Sequence, residues 1–153
     1  MPVIKHTTYM EAPINKCFDF ARDVEIHTKT TRNTNEKTVA GVTKGLLNCG
    51  ESITWEATHF CVKQRLTAKI IEMNGPYKFV DVMVRGAFHS FTHTHEFEEL
   101  GTGTLMKDTF EYKSPFGLVG KIADKLFLEK YMKNFIVTRA NELKKIAEMG
   151  ERC

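Results

Sequence analysis

Residues 91–113 of the chain, FTHTHEFEELGTGTLMKDTFEYK, predict two antiparallel β-strands joined by a tight turn. Polar and apolar side chains alternate on both sides of Gly101-Thr102, as they do in strands that bury one face. A two-residue turn at that dipeptide fixes the pairing, because the numbers of facing residues must then sum to 203. His95 is therefore expected directly opposite Asp108.

The same register divides the side chains of the hairpin between a buried face and a solvent-facing one. Glu96 falls opposite Lys107 on the solvent side, and this pair of opposite charges supports the register. A buried carboxylate that faces an imidazole favours the charged form of both groups, or fixes the tautomer of a neutral histidine. The pair His95 and Asp108 is therefore the strongest site prediction. The inner face is expected to hold Phe91, His93, His95, Phe97, Met106, Asp108, Phe110 and Tyr112.

The segments before this hairpin predict a strand, a short helical region and then further strands. Residues 3–10 favour a first strand, residues 14–21 a short helix with one apolar stripe, and Asp23 a cap for a second helical turn. Short connections between the later strands favour an antiparallel meander. These strands are expected at residues 39–42, 51–62, 65–73, 78–85, 88–97 and 104–112.

The last third of the chain predicts one long helix. Ser114 and Pro115 suit its start, Gly150 suits the position after its last turn, and the roughly 35 residues between them would extend about 52 Å. The first half is apolar over a wide arc, and the second half has a narrower stripe. That stripe consists of Met132, Phe135, Ile136, Arg139, Leu143, Ile146 and Ala147. Such an element order predicts an α+β architecture, in which a curved sheet grips and buries the helix and any space left between them becomes a cavity.

Two more strands contribute inward-facing polar or aromatic residues. Alternation in residues 53–60 places Trp55 and His59 on the inner face. The position of Asp81 depends on the connection near Gly86. A two-residue turn there would set Val80 opposite His93, whereas one extra residue at a glycine bulge would set Asp81 opposite His93.

The composition excludes several classes of protein. The 153 residues fit one domain, 1–153, and a net charge of +3 with interleaved signs gives no basic stripe for nucleic acid. The sequence has no apolar run of ~20 residues and no secretory leader pattern, so we expect a cytoplasmic protein without an integral membrane segment. The four cysteines are widely spaced and are expected to be reduced thiols. We expect no cofactor.

The order and spacing of short motifs resemble those of the START/Bet v 1-like superfamily of helix-grip proteins, over almost the whole chain. This group includes polyketide cyclase/dehydratase-like and lipid-transfer proteins, and the sequence looks like a bacterial branch of it. The resemblance implies a cavity between sheet and helix that holds an apolar small molecule, but it does not imply one reaction. The motifs are Trp55-Glu56-Ala57-Thr58-His59-Phe60, Phe79-Val80-Asp81, Gly86-Ala87-Phe88, His93-Thr94-His95-Glu96-Phe97, Gly103-Thr104-Leu105-Met106-Lys107-Asp108, Tyr112, Pro115-Phe116-Gly117, Gly120 and Arg139.

The two histidines of His93-Thr94-His95 have the spacing of a metal motif, since residues i and i+2 of a strand share a face. Glu99, four residues after His95, extends the likeness to the cupin pattern. However, no histidine follows His95 to complete such a ligand set, and Glu99 lies at the turn rather than on the inner face. We therefore expect no metal site from the sequence.

The sequence supports three functional hypotheses. The first is a carrier or sensor for an apolar or amphipathic small molecule. The second is a cyclase- or dehydratase-like enzyme in which His95 and Asp108 are the candidate catalytic acid/base pair. The third is a regulatory protein that binding of a ligand switches. Residues expected to contact the ligand are Trp55, His59, Phe79, Asp81, Phe91, His93, His95, Phe97, Met106, Asp108, Phe110, Met132 and Phe135.

Two of these assignments have a structural alternative. His59, His93, His95 and Asp108 would also be satisfied as a hydrogen-bonded cluster that only stabilises the sheet. Trp55 would equally serve to fill the core or as a platform for a ligand.

Arg139, on the apolar stripe of the helix, is expected to pair with an acidic residue such as Glu11.

Overall fold

The computed structural model describes residues 2–59, 61–114, 117, 122 and 127–149. Within these ranges the chain forms seven strands, a short 3-10 turn at Arg32–Thr34 and three α-helices. The strands are β1 (Val3–Met10), β2 (Lys37–Gly41), β3 (Ser52–His59), β4 (Val62–Asn74), β5 (Lys78–Arg85), β6 (Ser90–Leu100) and β7 (Gly103–Lys113). The helices are α1 (Ile14–Ala21), α2 (Val24–Thr30) and α3 (Glu129–Met149).

All seven strands form one antiparallel sheet in the order β1-β7-β6-β5-β4-β3-β2. Each strand from β2 to β7 pairs with its neighbour in sequence, and β1 pairs with the last strand. Helix α3 packs against the inner face, where Ile136 joins Phe91 and Phe110 in one core cluster and Leu143 joins Phe18 in another. This is the α+β helix-grip fold that the element order predicts.

The predicted hairpin register is confirmed. His95 lies opposite Asp108, Phe97 opposite Met106 and Leu100 opposite Gly103. Gly101 has φ +63°, a conformation that the turn requires and that side chains with a Cβ rarely adopt. The two-residue turn therefore determines which side chains of β6 and β7 face the interior.

The pairing of β5 with β6 is the second of the two predicted alternatives, with Asp81 opposite His93. The connection differs from both, however, because residues 86–89 form a four-residue loop and β6 begins at Ser90 rather than at Phe88. The longer loop shifts the register in the same direction as the expected bulge. Asp81 and the two histidines of β6 thus share the inner face.

One other predicted boundary differs from the structure, and the predicted ends of the long helix are not tested by it. Strand β3 ends at His59 and β4 begins at Val62, where the sequence pattern still indicated the preceding strand. Cys61 has φ +62°, which terminates that strand. The predicted start of the long helix, with its apolar arc at residues 116–128, lies largely outside the described residues, and Gly150 lies outside them as well.

The remaining local predictions concern a cap, the cysteines and the membrane. Asp23 caps α2 as expected, since its carboxylate accepts a hydrogen bond from the backbone N–H of Ile26 at 3.0 Å. Cys17, Cys49 and Cys61 are free thiols. In the described parts of the chain, every helix is too short or too polar to cross a membrane.

Candidate functional site

A cavity of about 270 Å³ lies between the inner face of the sheet and α3. Its wall is mostly apolar and aromatic, with Phe91 and Phe110 from the hairpin facing Met132 and Phe135 from the helix. A smaller cavity of about 60 Å³ adjoins it, and His27, Trp55, Ala68, Asp81 and Arg139 border both. The other residues around the larger cavity are Glu36, His59, Gln64, Leu66, Ala87, Phe88, His93, Leu128, Tyr131 and Ile136.

Four polar side chains form a network beside this cavity, of which His93, His95 and Asp108 are buried and Asp81 is partly buried. His95 Nε2 donates a hydrogen bond to Asp81 Oδ1 at 2.9 Å, and His93 Nε2 donates to Asp108 Oδ1 at 3.1 Å. His95 Nδ1 lies 3.0 Å from the same Asp108 oxygen. The hydrogen bond to Asp81 is therefore diagonal, because Asp81 pairs with His93 in the sheet but bonds to His95. One carboxylate thus contacts both imidazoles, and one imidazole lies between two carboxylates.

The surroundings set the charges of this network. Burial opposes ionisation of Asp108, but its contacts with His93 and His95 outweigh burial and hold its pKa far below the ordinary value. Burial likewise disfavours the charged form of Asp81, yet the hydrogen bond from His95 lowers its pKa. For His95, the two carboxylates outweigh burial and raise the pKa, whereas burial and the neighbouring His95 lower the pKa of His93. The network therefore holds two carboxylates, one imidazole that favours its protonated form and one neutral imidazole.

A second polar cluster borders both cavities. His27 Nε2 donates a hydrogen bond to Glu36 Oε1 at 3.1 Å, and the His27 ring stacks on Trp55 with ring centroids 4.1 Å apart. Burial lowers the pKa of His27, and the guanidinium of Arg139 lowers it further. Sequence reasoning missed His27 and Glu36 because they lie on α2 and after the 3-10 turn, outside the alternating strands. The sequence pattern offers no signal that would have paired them.

A third polar contact joins the sheet to α3. His59 Nδ1 lies 2.6 Å from the hydroxyl oxygen of Tyr131, and both residues line the larger cavity. Burial lowers the pKa of His59 and raises that of Tyr131. Tyr131 was also missed, since it lies beside the predicted apolar stripe of the helix rather than on it.

The predicted site residues lie in four places. Phe79 and His95 border the smaller cavity, and their rings stack with centroids 4.2 Å apart. Met106 and Asp108 border a pocket of about 10 Å³ beneath α3, while Phe97 packs edge-on against Phe18 in the core. The larger cavity is bordered by Trp55, His59, Asp81, Phe91, His93, Phe110, Met132 and Phe135.

The expected pairing of Arg139 with Glu11 is wrong. Arg139 Nη2 donates to the backbone carbonyl of Ala21 at 3.4 Å, and the residue borders both adjoining cavities. Glu11, which directly follows β1, instead accepts hydrogen bonds from Tyr9 and Thr102. The guanidinium is therefore part of the polar lining, where its charge lowers the pKa of Asp81.

The arrangement has two chemical capacities. The larger cavity offers an apolar wall together with carboxylate, imidazole and guanidinium groups, which suits an amphipathic molecule. In addition, Asp81, His93 and His95 each bring a potential metal-ligating atom within 4.8 Å of the others.

Solved structures show the same fold at low sequence identity. TTHA0849 from Thermus thermophilus superposes with a TM-score of 0.80 at 19% identity, covering 99% of this chain and 100% of that chain. CV1439 from Chromobacterium violaceum gives 0.74 at 13% identity, covering 95% and 96%. The major latex-like protein 151 of Panax ginseng gives 0.68 at 10% identity, covering 95% and 97%.

These similarities establish that the chain has the Bet v 1-like helix-grip fold. No family model matches the sequence. No curated protein matches it significantly.

Proposed function

We propose that the protein binds an apolar or amphipathic small molecule in the larger cavity, as a carrier or sensor. The cavity of about 270 Å³, with its aromatic wall and its few polar groups, is the observation that supports this function. Asp81, His93 and Arg139 would orient the polar end of the ligand, while Phe91 and Phe110 would contact its apolar part.

The volume of the cavity indicates the size of the ligand. An apolar cavity of ~150 Å³ accommodates benzene, and ordinary ligand sites begin at ~300 Å³. A cavity of about 270 Å³ therefore suits a molecule of one or two aromatic rings or a short aliphatic chain. 2-Naphthol, with two fused rings and one hydroxyl group, is a suitable probe for this size and polarity.

The experiment is a calorimetric titration of metal-free protein with 2-naphthol. We expect saturable binding at one site in the wild type and at least tenfold weaker binding in Ala68→Leu, because residue 68 is buried on β4 and borders the cavity. Ile71→Ala, at a position on the same strand that is 52% exposed, serves as the control and should bind like the wild type. No saturable binding in the wild type, or equal binding in Ala68→Leu, would refute the proposal.

The enzymatic hypothesis rests on a different observation. Asp108 Oδ1 lies 3.0 Å from His95 Nδ1, an arrangement in which a carboxylate orients an imidazole for proton transfer. Replacing His95 with Gln would abolish turnover of a carbonyl substrate in an enzyme of this kind. In a carrier, the same replacement would only shift the affinity for the ligand.

A further inference from the structure

We propose that Asp81, His93 and His95 form a binding site for a divalent transition-metal ion, with Zn²⁺ as the representative ion, and that Asp108 positions both imidazoles. The site goes beyond the binding of an apolar ligand and does not depend on it. Its basis is the donor set, the hydrogen bonds of Asp108 and the position of the site beside the larger cavity.

The donor set comes from two neighbouring strands. His93 and His95 project from the same face of β6, and Asp81 lies opposite His93 on β5. Two imidazoles and one carboxylate are a common set of ligands for zinc and for other late first-row ions. The ligating atoms lie within 4.8 Å of one another, whereas donors on one zinc ion lie roughly 3.4 Å apart. Small side-chain rotations would close that difference.

Asp108 occupies the place of an outer carboxylate that orients metal-bound histidines. Its Oδ1 accepts a hydrogen bond from His93 Nε2 at 3.1 Å and lies 3.0 Å from His95 Nδ1. When both of these nitrogens donate to Asp108, His93 Nδ1 and His95 Nε2 keep their lone pairs for a metal ion. Metal-bound histidines commonly donate their second N–H to a carboxylate in this way.

The position of Asp81 supplies the ligand that the sequence pattern lacked. The expectation of no metal site rested on the absence of a later histidine and on the position of Glu99 at the turn, whereas the neighbouring strand provides Asp81 on the inner face. His95 Nε2 already lies 2.9 Å from Asp81 Oδ1, so an ion bound there would replace the shared proton.

The site is open to the larger cavity. Asp81 and His93 border the larger cavity, so a bound ion would keep a coordination position available to water or to a molecule in that cavity. On another side, the Phe79 ring stacks on the His95 ring, and both residues border the smaller cavity. A site with three protein ligands and one open position is the arrangement of zinc ions that bind or activate a ligand.

The test measures metal binding directly. Full-length protein is dialysed against EDTA and then buffer, and is titrated with Zn²⁺ by calorimetry and with Co²⁺ by visible absorption. We expect one ion per chain, with Co²⁺ bands typical of nitrogen and oxygen ligands. Asp81→Asn and His93→Gln should lose this stoichiometric binding, and Asp108→Asn should weaken it about 10- to 100-fold. His89→Gln, at an exposed loop position, is the matched control and should bind like the wild type.

Folding of each variant is checked by circular dichroism, and the isosteric Asp81→Asn variant is the decisive one. Its amide oxygen still accepts the hydrogen bond from His95, so the variant should fold while losing a charged ligand. Absence of a stoichiometric ion in the wild type, or undiminished binding in folded Asp81→Asn, would overturn the proposal. Neither result would affect the 2-naphthol titration, which uses metal-free wild-type protein.

Discussion

The imidazole of His27 lies nearly parallel to the indole of Trp55, with an interplanar angle of 28° and ring centroids 4.1 Å apart. This contact joins α2 to β3 where the two cavities adjoin. Nε2 of the same imidazole donates to Glu36, which is 8% exposed. One histidine therefore anchors the short helix to the sheet and also satisfies a buried carboxylate.

Replacement of His27 with Ala should destabilise the protein by about 2–4 kcal/mol. Loss of the stacked pair accounts for ~1 kcal/mol. Most of the remainder comes from the buried carboxylate of Glu36, which loses its imidazole partner and keeps the Thr34 hydroxyl at 3.4 Å. Urea unfolding measures the change. His89→Ala, at an exposed position, is the control and should differ from the wild type by less than ~0.5 kcal/mol. Equal stability of His27→Ala and the wild type would contradict the anchoring role.

The lowered pKa of His27 predicts a loss of stability in acid. Burial keeps the folded-state pKa below the ordinary value of 6.5, so the unfolded chain binds the proton more readily. The stability that the neutral imidazole contributes is fully present above the pKa of His27 in the unfolded chain. It is lost as the pH falls from that value through the lower pKa of the folded state. Unfolding free energies measured between pH 7 and pH 5 should therefore decrease less steeply in His27→Gln than in the wild type. Parallel pH profiles of the two proteins would show that folding does not lower the pKa of His27.

A buried hydroxyl group fixes the start of α1 against the sheet. Thr104 Oγ1 donates to the carbonyl oxygen of Ala12 at 2.8 Å, and Thr104 is fully buried. Thr104→Val keeps the shape but leaves that carbonyl with the weak thiol donor of Cys17 at 3.6 Å, so we expect a loss of about 1–3 kcal/mol in thermal or urea unfolding. The matched control is Thr109→Val on the same strand, at a partly exposed position. A similar loss in both variants would attribute the effect to the strand rather than to the hydrogen bond.

Substitution of Phe79 is expected to lower the free energy of unfolding more than substitution at most other core positions of β5. Its ring stacks on His95 and meets Phe18 edge-on at 5.6 Å, and it is 3% exposed. Phe79→Ala should cost about 3–5 kcal/mol, because the substitution leaves a cavity. Val84→Ala, on the same strand at a position that is 59% exposed, should cost less than ~1 kcal/mol. Differential scanning calorimetry of the two variants distinguishes these outcomes.

The sequence was sufficient to predict strand pairing where a tight turn determines the register. The glycine of the Gly101-Thr102 turn allows one tight hairpin, and alternation then assigns His95 and Asp108 to the same face. The sequence was insufficient to predict the register of β5 against β6, which depends on loop length. Residues 86–89 form the loop between these strands, and no turn motif specifies its length.

The sequence also did not reveal contacts between elements far apart in the fold. His27 reaches Trp55, and Tyr131 reaches His59, only because the sheet curves around the helices. Side-chain periodicity within one element identifies its buried face but not the partner on another element. The diagonal hydrogen bond from His95 to Asp81 is a further example, because strand register alone pairs Asp81 with His93.

The pairing of β1 with β7 has a consequence for synthesis on the ribosome. The first strand of the chain finds its only neighbour in the described sheet at residues 103–113, so its backbone N–H and C=O groups stay unpaired until those residues emerge. The intervening meander can form earlier, since its strands are adjacent in sequence. Closing the sheet is therefore a late, long-range event, and contacts of this kind slow folding. A nascent chain arrested before β7 would expose β1 to wrong partners, whereas one arrested after α3 would not.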